Sequence, residues 1–246
     1  MVLLMNKIFG LMMIRNESDR YLQSSLVNLA AQVDEVFVYD DSSDDSSRDI
    51  AERIINCTME SRPETATSFV ENEGAFRNHG WESFVEKMNP SDGDWIVCLD
   101  ADEFIVSSLP LREIVDNHSR GLRLHVPEAW ELDPETTQVK NVAKIRIDGF
   151  WNTNYSVRIF PFKSGLHFRN REMGVGAAPI IDDYVEERGV AILHCGYAEE
   201  IDRIEKYRRY KTYPKGHNPK HIDSILAPAT LVFFSGKIPE IWRGVL

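Results

Sequence analysis

The sequence predicts an α/β protein whose mixed, mainly parallel sheet is flanked by helices. Apolar runs alternate with helical patterns through the N-terminal part, as they do in successive strand, helix and strand units. The run "KIFGLMMI" is apolar at almost every position, which is typical of a strand covered on both faces of a parallel sheet. A chain of 246 residues is long enough for one large domain with a substantial core.

Periodicity and capping residues predict the individual elements. Ser18 is a candidate N-cap before leucines at helical spacing, and "NPSDGD" ends a later helix. We predict strand 7–14, helix 18–31, strand 35–40, a helix from 46 or 47, strand 67–70, helix 76–88 and strand 95–100. The runs "GLRLHV", "VAKIRI", "YSVRIFPF" and "GVAILHC" predict short strands further on, before the amphipathic helix "EEIDRIEKYRRYKTY". We therefore divide the single domain into two halves, residues 1–106 and 107–246.

Charge, cysteine content and hydropathy exclude several classes of protein. The 28 basic and 39 acidic residues give a formal charge of -11, which argues against a general nucleic-acid or anionic-membrane binder. Cys57, Cys98 and Cys195 are widely spaced and indicate neither a disulfide framework nor a cysteine-based zinc site. We expect a reducing, cytoplasmic setting. The apolar stretch 225–234 is shorter than the ~20 residues of a membrane span, so we expect no transmembrane segment.

Polar clusters follow three of the predicted strands at their carboxyl ends, where open α/β sheets bind ligands. They are Arg15-Asn16-Glu17, Asp40-Asp41 and Asp100-Ala101-Asp102. Two carboxylates one residue apart can turn toward one divalent cation, and oxygen ligands suit Mg²⁺ or Mn²⁺ that carries substrate phosphates. Such a complex would offset the charges of Asp100, Asp102 and Glu103, which otherwise repel one another. The alternatives are a solvated turn at 100–103 and a helix-capping turn in "DDSSDDSS".

The order of four motifs resembles the nucleotide-sugar-binding part of a GT-A glycosyltransferase, close to the family 2 type. The motifs are "GLMMIRNESDRYLQSSLVNL", "VFVYDDSSDDSSRDIAERI", "GAFRNHGWESF" and "DWIVCLDADEF", all within residues 7–106. The family's "DDGSTDGT"-like turn is present as residues 40–47 without its glycines. The resemblance implies a GT-A, Rossmann-like fold in which residues 1–106 bind the nucleotide sugar and residues 107–246 form the acceptor side.

The resemblance also implies roles for individual residues. These are Arg15, Asn16 and Glu17 for the nucleotide pocket, Asp40 or Asp41 for the base or ribose, Asp100 for the ribose and the metal, Asp102 for the metal, and Arg77 for the diphosphate. A predicted position at a helix start would also favour phosphate binding by Arg77. The alternative for Arg77 is an ordinary surface arginine.

The C-terminal half would complete the site. "GVAILHCGYAEEIDRIEKYRRY" resembles a segment of related transferases in which a histidine returns to the metal, so His194 is a candidate ligand. The alternative for His194 is a packed side chain. "FPFKSGLHFRNREMGVG" resembles the acceptor loop, in which a carboxylate takes the proton of the attacking hydroxyl. Glu172 is the first candidate for this base and Glu103 the second, and a surface ion pair is the alternative for Glu172.

We therefore expect a metal-dependent hexosyltransferase that uses Mn²⁺ or Mg²⁺. It would move a sugar from a nucleoside diphosphate sugar, first of all a UDP-sugar, to a hydroxyl acceptor with inversion. Seven basic residues against two acidic ones between positions 201 and 221 favour an anionic acceptor, such as a phosphorylated glycan, a lipid headgroup or a modified DNA base. A solvated helix face is the other interpretation. The alternative functions are a nucleotidyltransferase, although "MMIRNESD" is not a glycine-rich phosphate loop, and a non-catalytic nucleotide-sugar-binding module.

Overall fold

The computed structural model describes residues 6–133, 142–149, 151, 154–212 and 218–234. Its strands are β1 (Ile8–Ile14), β2 (Glu35–Asp40), β3 (Cys57–Ser61), β4 (Trp95–Leu99), β5 (Glu103–Ser107), β6 (Gly121–His125), β7 (Ala129–Asp133), β8 (Val142–Arg146), β9 (Tyr155–Pro161), β10 (Tyr184–His194) and β11 (Leu231–Phe233). Its helices are α1 (Leu22–Ala30), α2 (Ser47–Glu52), α3 (Glu73–Met88), α4 (Leu111–Val115), α5 (Glu200–Thr212) and α6 (Pro219–Ser224).

Eight of these strands form one sheet in the order β3-β2-β1-β4-β9-β6-β10-β5, and the other three form a small sheet in the order β11-β8-β7. The strands β3, β2, β1 and β4 are parallel neighbours, so their carboxyl ends lie at one edge. Beyond β4 the sheet becomes mixed, because β4–β9, β9–β6 and β10–β5 are antiparallel pairs and β6–β10 is a parallel pair. This confirms the predicted fold class.

Helices cover both faces of the large sheet. Residues of α1, α2 and α4 pack against one face, and α3 packs against the other. Phe84 of α3 is fully buried, and its ring meets those of Phe9 and Phe37 edge to face. Removing a buried ring of this kind costs about 3–5 kcal/mol. The packing therefore holds α3 firmly on the sheet, with the polar residues of its first turns at the carboxyl edge.

The prediction for the third strand is wrong. Residues 67–70 form no strand, and β3 lies earlier in the chain, paired in parallel with β2 from Val36↔Cys57 to Asp40↔Ser61. The segment "CTMES" lies at the edge of the sheet and is only partly buried, so it lacks the apolar run of the central strands. The segment 67–70 is instead held by the loop after β2, since the N–H of Phe69 donates to Asp41 Oδ2 at 3.0 Å.

Two predicted helix starts are also displaced. Helix α1 begins at Leu22 rather than at Ser18, whose N–H donates to Asp45 Oδ2 at 3.0 Å in the neighbouring loop. Helix α3 begins at Glu73, three residues before the predicted start, because the side chain of Asn72 caps it by accepting from the N–H of Ala75. In α1 no side chain caps the helix start, whereas in α3 the cap of Asn72 adds a turn that the apolar pattern did not indicate.

Candidate active site

One pocket of about 930 Å³ lies at the carboxyl edge of β1, β2 and β4. This volume is in the range typical of small-molecule sites. From the N-terminal half it is lined, among others, by Arg15, Glu17, Arg20, Asp41, Arg77, Asp100 and Asp102, and from the C-terminal half by Glu172, His194, Lys206 and Arg209. The loops that follow the three parallel strands therefore meet at one site, as the position of their polar clusters indicated.

The three carboxylates after β4 each have a cationic partner within the protein. Asp100 Oδ1 accepts from Arg77 at 3.3 Å, and Glu103 Oε1 accepts from Arg158 at 2.5 Å. Asp102 lies near three basic side chains, those of Lys206, Arg20 and His194, at 3.7, 3.9 and 3.4 Å. Side chains of the protein thus offset a cluster of charge that the sequence alone leaves uncompensated.

His194 reaches Asp102 because β10 pairs antiparallel with β5, which places His194 opposite Glu103 in the ladder. Its Nε2 is 3.4 Å from Asp102 Oδ1, and its Nδ1 is hydrogen-bonded to Glu128 Oε2. Glu128 in turn accepts from the side-chain amide of Asn154 at 3.1 Å. Glu128 thus orients the imidazole as outer carboxylates commonly orient metal-binding histidines, and the sequence analysis missed it.

Electrostatics couple Asp102 and His194. Burial opposes the charge on His194, but the carboxylates of Glu128 and Asp102 outweigh this effect and raise the pKa of His194 well above its usual value. Burial likewise opposes ionisation of Asp102, yet His194 and Lys206 lower the pKa of this carboxyl well below its usual value. Each of the two groups therefore favours the charged form of the other.

Asn16 and Asp40 do not line the pocket, in contrast to their expected roles in donor binding. Asp40 is fully buried and accepts hydrogen bonds from the N–H and Oγ of Ser43 and from Ser61 Oγ. Asn16 Oδ1 accepts from the N–H of Asp44 at 2.9 Å. Both residues join the loops after β1 and β2, and their hydrogen bonds favour a structural role over contact with a ligand.

In the loop after β2, a serine adopts the left-handed backbone conformation that glycine usually occupies. Ser42 has a φ of 57°, which lies in the left-handed region that glycine occupies with little cost. Its neighbour Asp41 is 1% exposed and accepts from Arg62 Nε at 2.5 Å and Arg15 Nη1 at 3.2 Å. The turn thus presents Asp41 to the pocket at the edge of the sheet.

Arg77 lies in the second turn of α3 and not at the helix start. It is 6% exposed and donates from Nε to Glu73 Oε1 at 2.9 Å and from Nη2 to Asp100 Oδ1 at 3.3 Å. The first N–H groups of α3 donate to the carbonyl oxygens of Glu172 and Arg171, at 2.9 Å each. The first N–H groups of α3 therefore bind a loop of the protein. The expectation that the start of this helix would attract phosphate was wrong.

The same contacts position Glu172, the first candidate base. A Cβ on Gly74 would lie 2.3 Å from the carbonyl oxygen of Arg169, so glycine lets the loop at 169–172 approach the helix backbone. Glu73 also accepts from the N–H of Gly174 at 2.6 Å. Glu172 is exposed and lines the pocket.

Glu103, the second candidate base, is 1% exposed and is not among the residues that line the pocket. Burial raises the pKa of its carboxyl, while the guanidinium of Arg158 acts in the opposite direction. Its side chain also accepts from the N–H of Asp100 at 3.0 Å. These contacts favour a structural role for Glu103, namely support of the turn that carries Asp100 and Asp102.

Glu17 is the pocket carboxyl with a pKa near neutrality. Burial raises the pKa of Glu17 to about 7, Arg20 opposes the rise and Asp102 adds to it. Arg20 itself donates to Glu17 Oε2 at 3.2 Å and to Asp202 Oδ1 at 3.5 Å. Arg20 therefore ties the loop after β1 to α5, a link that the sequence pattern did not reveal.

The basic segment at 201–221 divides between several environments, with residues 213–217 outside the described part of the chain. Lys206 and Arg209 line the pocket. Arg203 Nη1 donates to the carbonyl oxygens of Trp130 and Tyr197 at 2.9 and 2.7 Å, and Lys211 pairs with Asp223 at 2.6 Å. Part of the positive charge of this segment thus faces the same pocket as Asp102. This position weakens the interpretation of the basic segment as a separate surface for an anionic acceptor.

A family model described as glycosyl transferase family 2 matches residues 11–158, more than half of the chain. The chain therefore belongs to glycosyl transferase family 2. It is a glycosyltransferase with the GT-A fold that the motifs predicted.

Distant likenesses to solved structures accompany this family match. They include 4-diphosphocytidyl-2C-methyl-D-erythritol synthase, with 16% identity and a TM-score of 0.43 over 64% of this chain and 76% of that one. Glucosyl-3-phosphoglycerate synthase from Mycobacterium tuberculosis, in complex with phosphoglyceric acid, has 18% identity and a TM-score of 0.35 over 50% of this chain and 44% of that one. A structure described as a mycobacterial protein has 19% identity and a TM-score of 0.36 over 50% and 42%. The chain thus spans less than half of these last two chains.

A search of curated proteins found no match to this chain. None of the helices in the described ranges has the length and apolar character needed to cross a membrane.

Proposed function

We propose that this glycosyltransferase is metal-dependent and moves a sugar from a nucleoside diphosphate sugar, with a UDP-sugar as the first candidate, to a hydroxyl acceptor. The observation that carries the proposal is the approach of His194 Nε2 to Asp102 Oδ1, at 3.4 Å, in the pocket that also contains Arg15 and Arg77. A cation held by two protein atoms keeps open positions for phosphate oxygens, and arginine suits the remaining phosphate charge.

The donor atoms fit such a cation. In the described part of the chain no three His, Cys, Asp or Glu side chains are close enough to hold a metal among themselves. Asp102 supplies one oxygen and His194, once its imidazole has released its proton, one nitrogen, a set that Mn²⁺ accepts. Asp100 is near in sequence and lines the same pocket. When bound, the cation would offset the negative charge of the leaving diphosphate.

The remaining steps belong to side chains of the protein. In this proposal Arg77, which is paired with Asp100, binds the diphosphate, and Asp41 binds the base or ribose. Glu172 takes the proton of the acceptor hydroxyl as the hydroxyl attacks the sugar carbon. Attack from the side opposite to the leaving diphosphate inverts the configuration at this carbon. The acceptor is a hydroxyl of a glycan or of a modified nucleic acid base, and strong salt dependence of turnover would indicate the nucleic acid.

Thermal unfolding with UDP-, GDP-, dTDP- and CDP-sugars, with and without Mn²⁺, tests the donor and the metal together. A ligand at ~100 times its dissociation constant stabilises the folded state by ~2.7 kcal/mol. We expect one class of donor to raise the melting temperature more with Mn²⁺ than without, and to release free sugar slowly. Release of pyrophosphate would indicate a nucleotidyltransferase instead, and stabilisation without any product would indicate a binding module.

A further inference from the structure

The ammonium group of Lys206 lies beside the two atoms that we assign to the metal. Its Nζ is 3.7 Å from Asp102 Oδ2 and 3.4 Å from His194 Nε2, and it stands 4.3 Å from the centre of the Tyr197 ring. The side chain of Lys206 is 11% exposed, compared with 48% for Lys211 on the same helix. Lys206 is therefore enclosed by a carboxylate, an imidazole and an aromatic face, whereas Lys211 is largely solvated.

The space for this ammonium group depends on Gly196. A Cβ at Gly196 would lie 2.0 Å from Lys206 Nζ, 2.4 Å from Asp102 Oδ2 and 2.6 Å from His194 Nε2. Gly196 has no positive φ, so glycine here provides space for these three side chains and not a special backbone conformation. The missing side chain leaves a gap in which the cation, the carboxylate and the imidazole meet.

We propose that Lys206 is the resident counter-ion of the Asp102–His194 pair, that it competes with a divalent cation for this pair, and that it moves toward the donor diphosphate when the cation binds. This inference rests on the proposed function. It concerns a residue of α5 that the sequence motifs do not single out.

Competition follows from charge and distance. A divalent cation bonded to Asp102 and His194 would stand within a few ångströms of the ammonium group, where like charges in a partly buried site repel strongly. Lysine is a compact charge on a flexible stem, so its head can leave without movement of the helix. Arg209 on the next turn of α5 also lines the pocket, so a displaced Lys206 would stay on a surface that faces this pocket. The proposed function has the diphosphate bind in the same pocket.

Calorimetric titration of Mn²⁺ into the free protein tests the competition. We expect Lys206→Met to bind Mn²⁺ about tenfold more tightly than the wild type without donor, which corresponds to the loss of one charge-assisted interaction that the metal must displace. With Mn²⁺ saturating, the same variant should bind UDP about tenfold more weakly, because one phosphate contact is missing. Lys211→Met is the matched control on the same helix and should change neither affinity.

Lys206→Gln provides a second neutral variant, of similar length, if the methionine variant does not fold. Unchanged or weaker Mn²⁺ affinity in a folded neutral variant, with clear binding by the wild type, would overturn the competition while leaving the metal site in place. Unchanged UDP affinity in the presence of Mn²⁺ would overturn the movement toward the diphosphate. If no variant and no wild-type protein binds Mn²⁺, with or without UDP, the metal dependence of the proposed function fails and this inference fails with it.

Discussion

The N-terminal and C-terminal halves of the chain contribute residues to the pocket in different ways. In the N-terminal half, Arg15, Asp41 and Asp100 each follow directly the end of a parallel strand, and these strands are neighbours in the sheet. In the C-terminal half, His194 ends a strand at the far side of the sheet and Lys206 comes from a helix. Local sequence thus suffices to place the first group, whereas the second group depends on pairing between distant segments.

Asp102 is the residue at which the two halves meet. It follows β4 in the N-terminal half, and its charged neighbours His194 and Lys206 come from the C-terminal half. Its backbone takes part too, since the carbonyl oxygen of Asp102 accepts from the N–H of Cys195 at 2.8 Å. Changes at Asp102 should therefore affect contacts of both halves.

The largest effect is expected for Asp102→Asn. Transfer should fall on the order of 10³-fold, because the charge stabilisation that a bound metal supplies is worth several kcal/mol. A carboxyl with a lowered pKa stabilises the fold above its unfolded pKa and loses this effect as pH falls through the folded value. The variant should therefore also melt at a lower temperature at pH 7. Exposed Asp92 provides the control Asp92→Asn, and full activity with an unchanged Mn²⁺ response in Asp102→Asn would remove this residue from the metal site.

The next largest effect is expected for Glu172→Gln, in the C-terminal half of the chain. In Glu172→Gln turnover should fall roughly 100-fold while the affinity for UDP stays unchanged, since a general base acts on the acceptor and not on the donor. Steady-state rates and UDP titrations measure the two quantities. Equal losses of donor affinity and turnover would contradict the role of base.

Glu103→Gln is the matched control for Glu172→Gln. It leaves the buried guanidinium of Arg158 without its charge partner, and breaking a buried pair costs about 3–5 kcal/mol. We expect lower stability with near-normal turnover per folded molecule. A reversed pattern, with a stable but inactive Glu103→Gln and an active Glu172→Gln, would move the base to Glu103.

A smaller effect, on the pH dependence of the melting temperature, is expected for Glu17→Gln in the N-terminal half of the chain. The pKa of Glu17 is raised to about 7, chiefly by burial, so the folded state holds this proton more tightly than the unfolded chain, in which the pKa is near 4.5. Stability from this proton is present below pH 4.5 and is lost as pH rises to 7. Glu17→Gln stays neutral, so its melting temperature should exceed that of the wild type by an amount that grows between pH 5 and pH 7. A difference that is constant across this range would contradict the raised pKa.

The smallest effect is expected for Ser42→Gly in the loop after β2. The left-handed conformation of Ser42 costs about 1–2 kcal/mol, and the greater freedom of glycine in the unfolded chain cancels about 0.5–1 kcal/mol of the gain. The melting temperature should rise by roughly 2–4 °C. Asn16→Gly is the control, because Asn16 also has a positive φ but its Oδ1 accepts from the N–H of Asp44 at 2.9 Å, whereas Ser42 Oγ donates only a long bond of 3.5 Å to the carbonyl oxygen of Arg62. A larger gain in the control would show that backbone strain does not decide the result.

The fold was predictable from the sequence to a large extent because its central strands are strongly apolar. β2 begins and ends at the predicted residues, and β1 and β4 differ by one residue at an end. The prediction failed at the edge strand β3, where partial burial leaves a polar sequence with no clear period. β5 was also missed, since five residues directly after a turn carry little signal of their own.

Site residues that follow the ends of strands could be predicted from the sequence. Residues that belong to the site through ion pairs with distant side chains could not. The motif "DWIVCLDADEF" predicted Asp100 and Asp102 as site residues and the resemblance predicted His194 and Glu172, and all four line the pocket. Glu128, which holds the imidazole of His194, comes from a segment without any motif. A carboxylate that supports another residue has no spacing of its own in the sequence, so no pattern could single it out.

By itself the sequence determined the class of fold, the three loops that carry the polar clusters and the family of the protein. The class of fold and the three loops follow from local periodicity, because the carboxyl ends of parallel neighbours necessarily share one edge. The family follows from the resemblance of four motifs in their order. Only the tertiary structure decided which cation meets which carboxylate, because ion pairs form between side chains that are distant in the chain. The Coulomb interaction depends on the separation of charges in space and on burial, and neither quantity can be read from the order of residues in the chain. Lys206 is the clearest case, since one lysine in a basic helix became the neighbour of Asp102 only through the packing of α5.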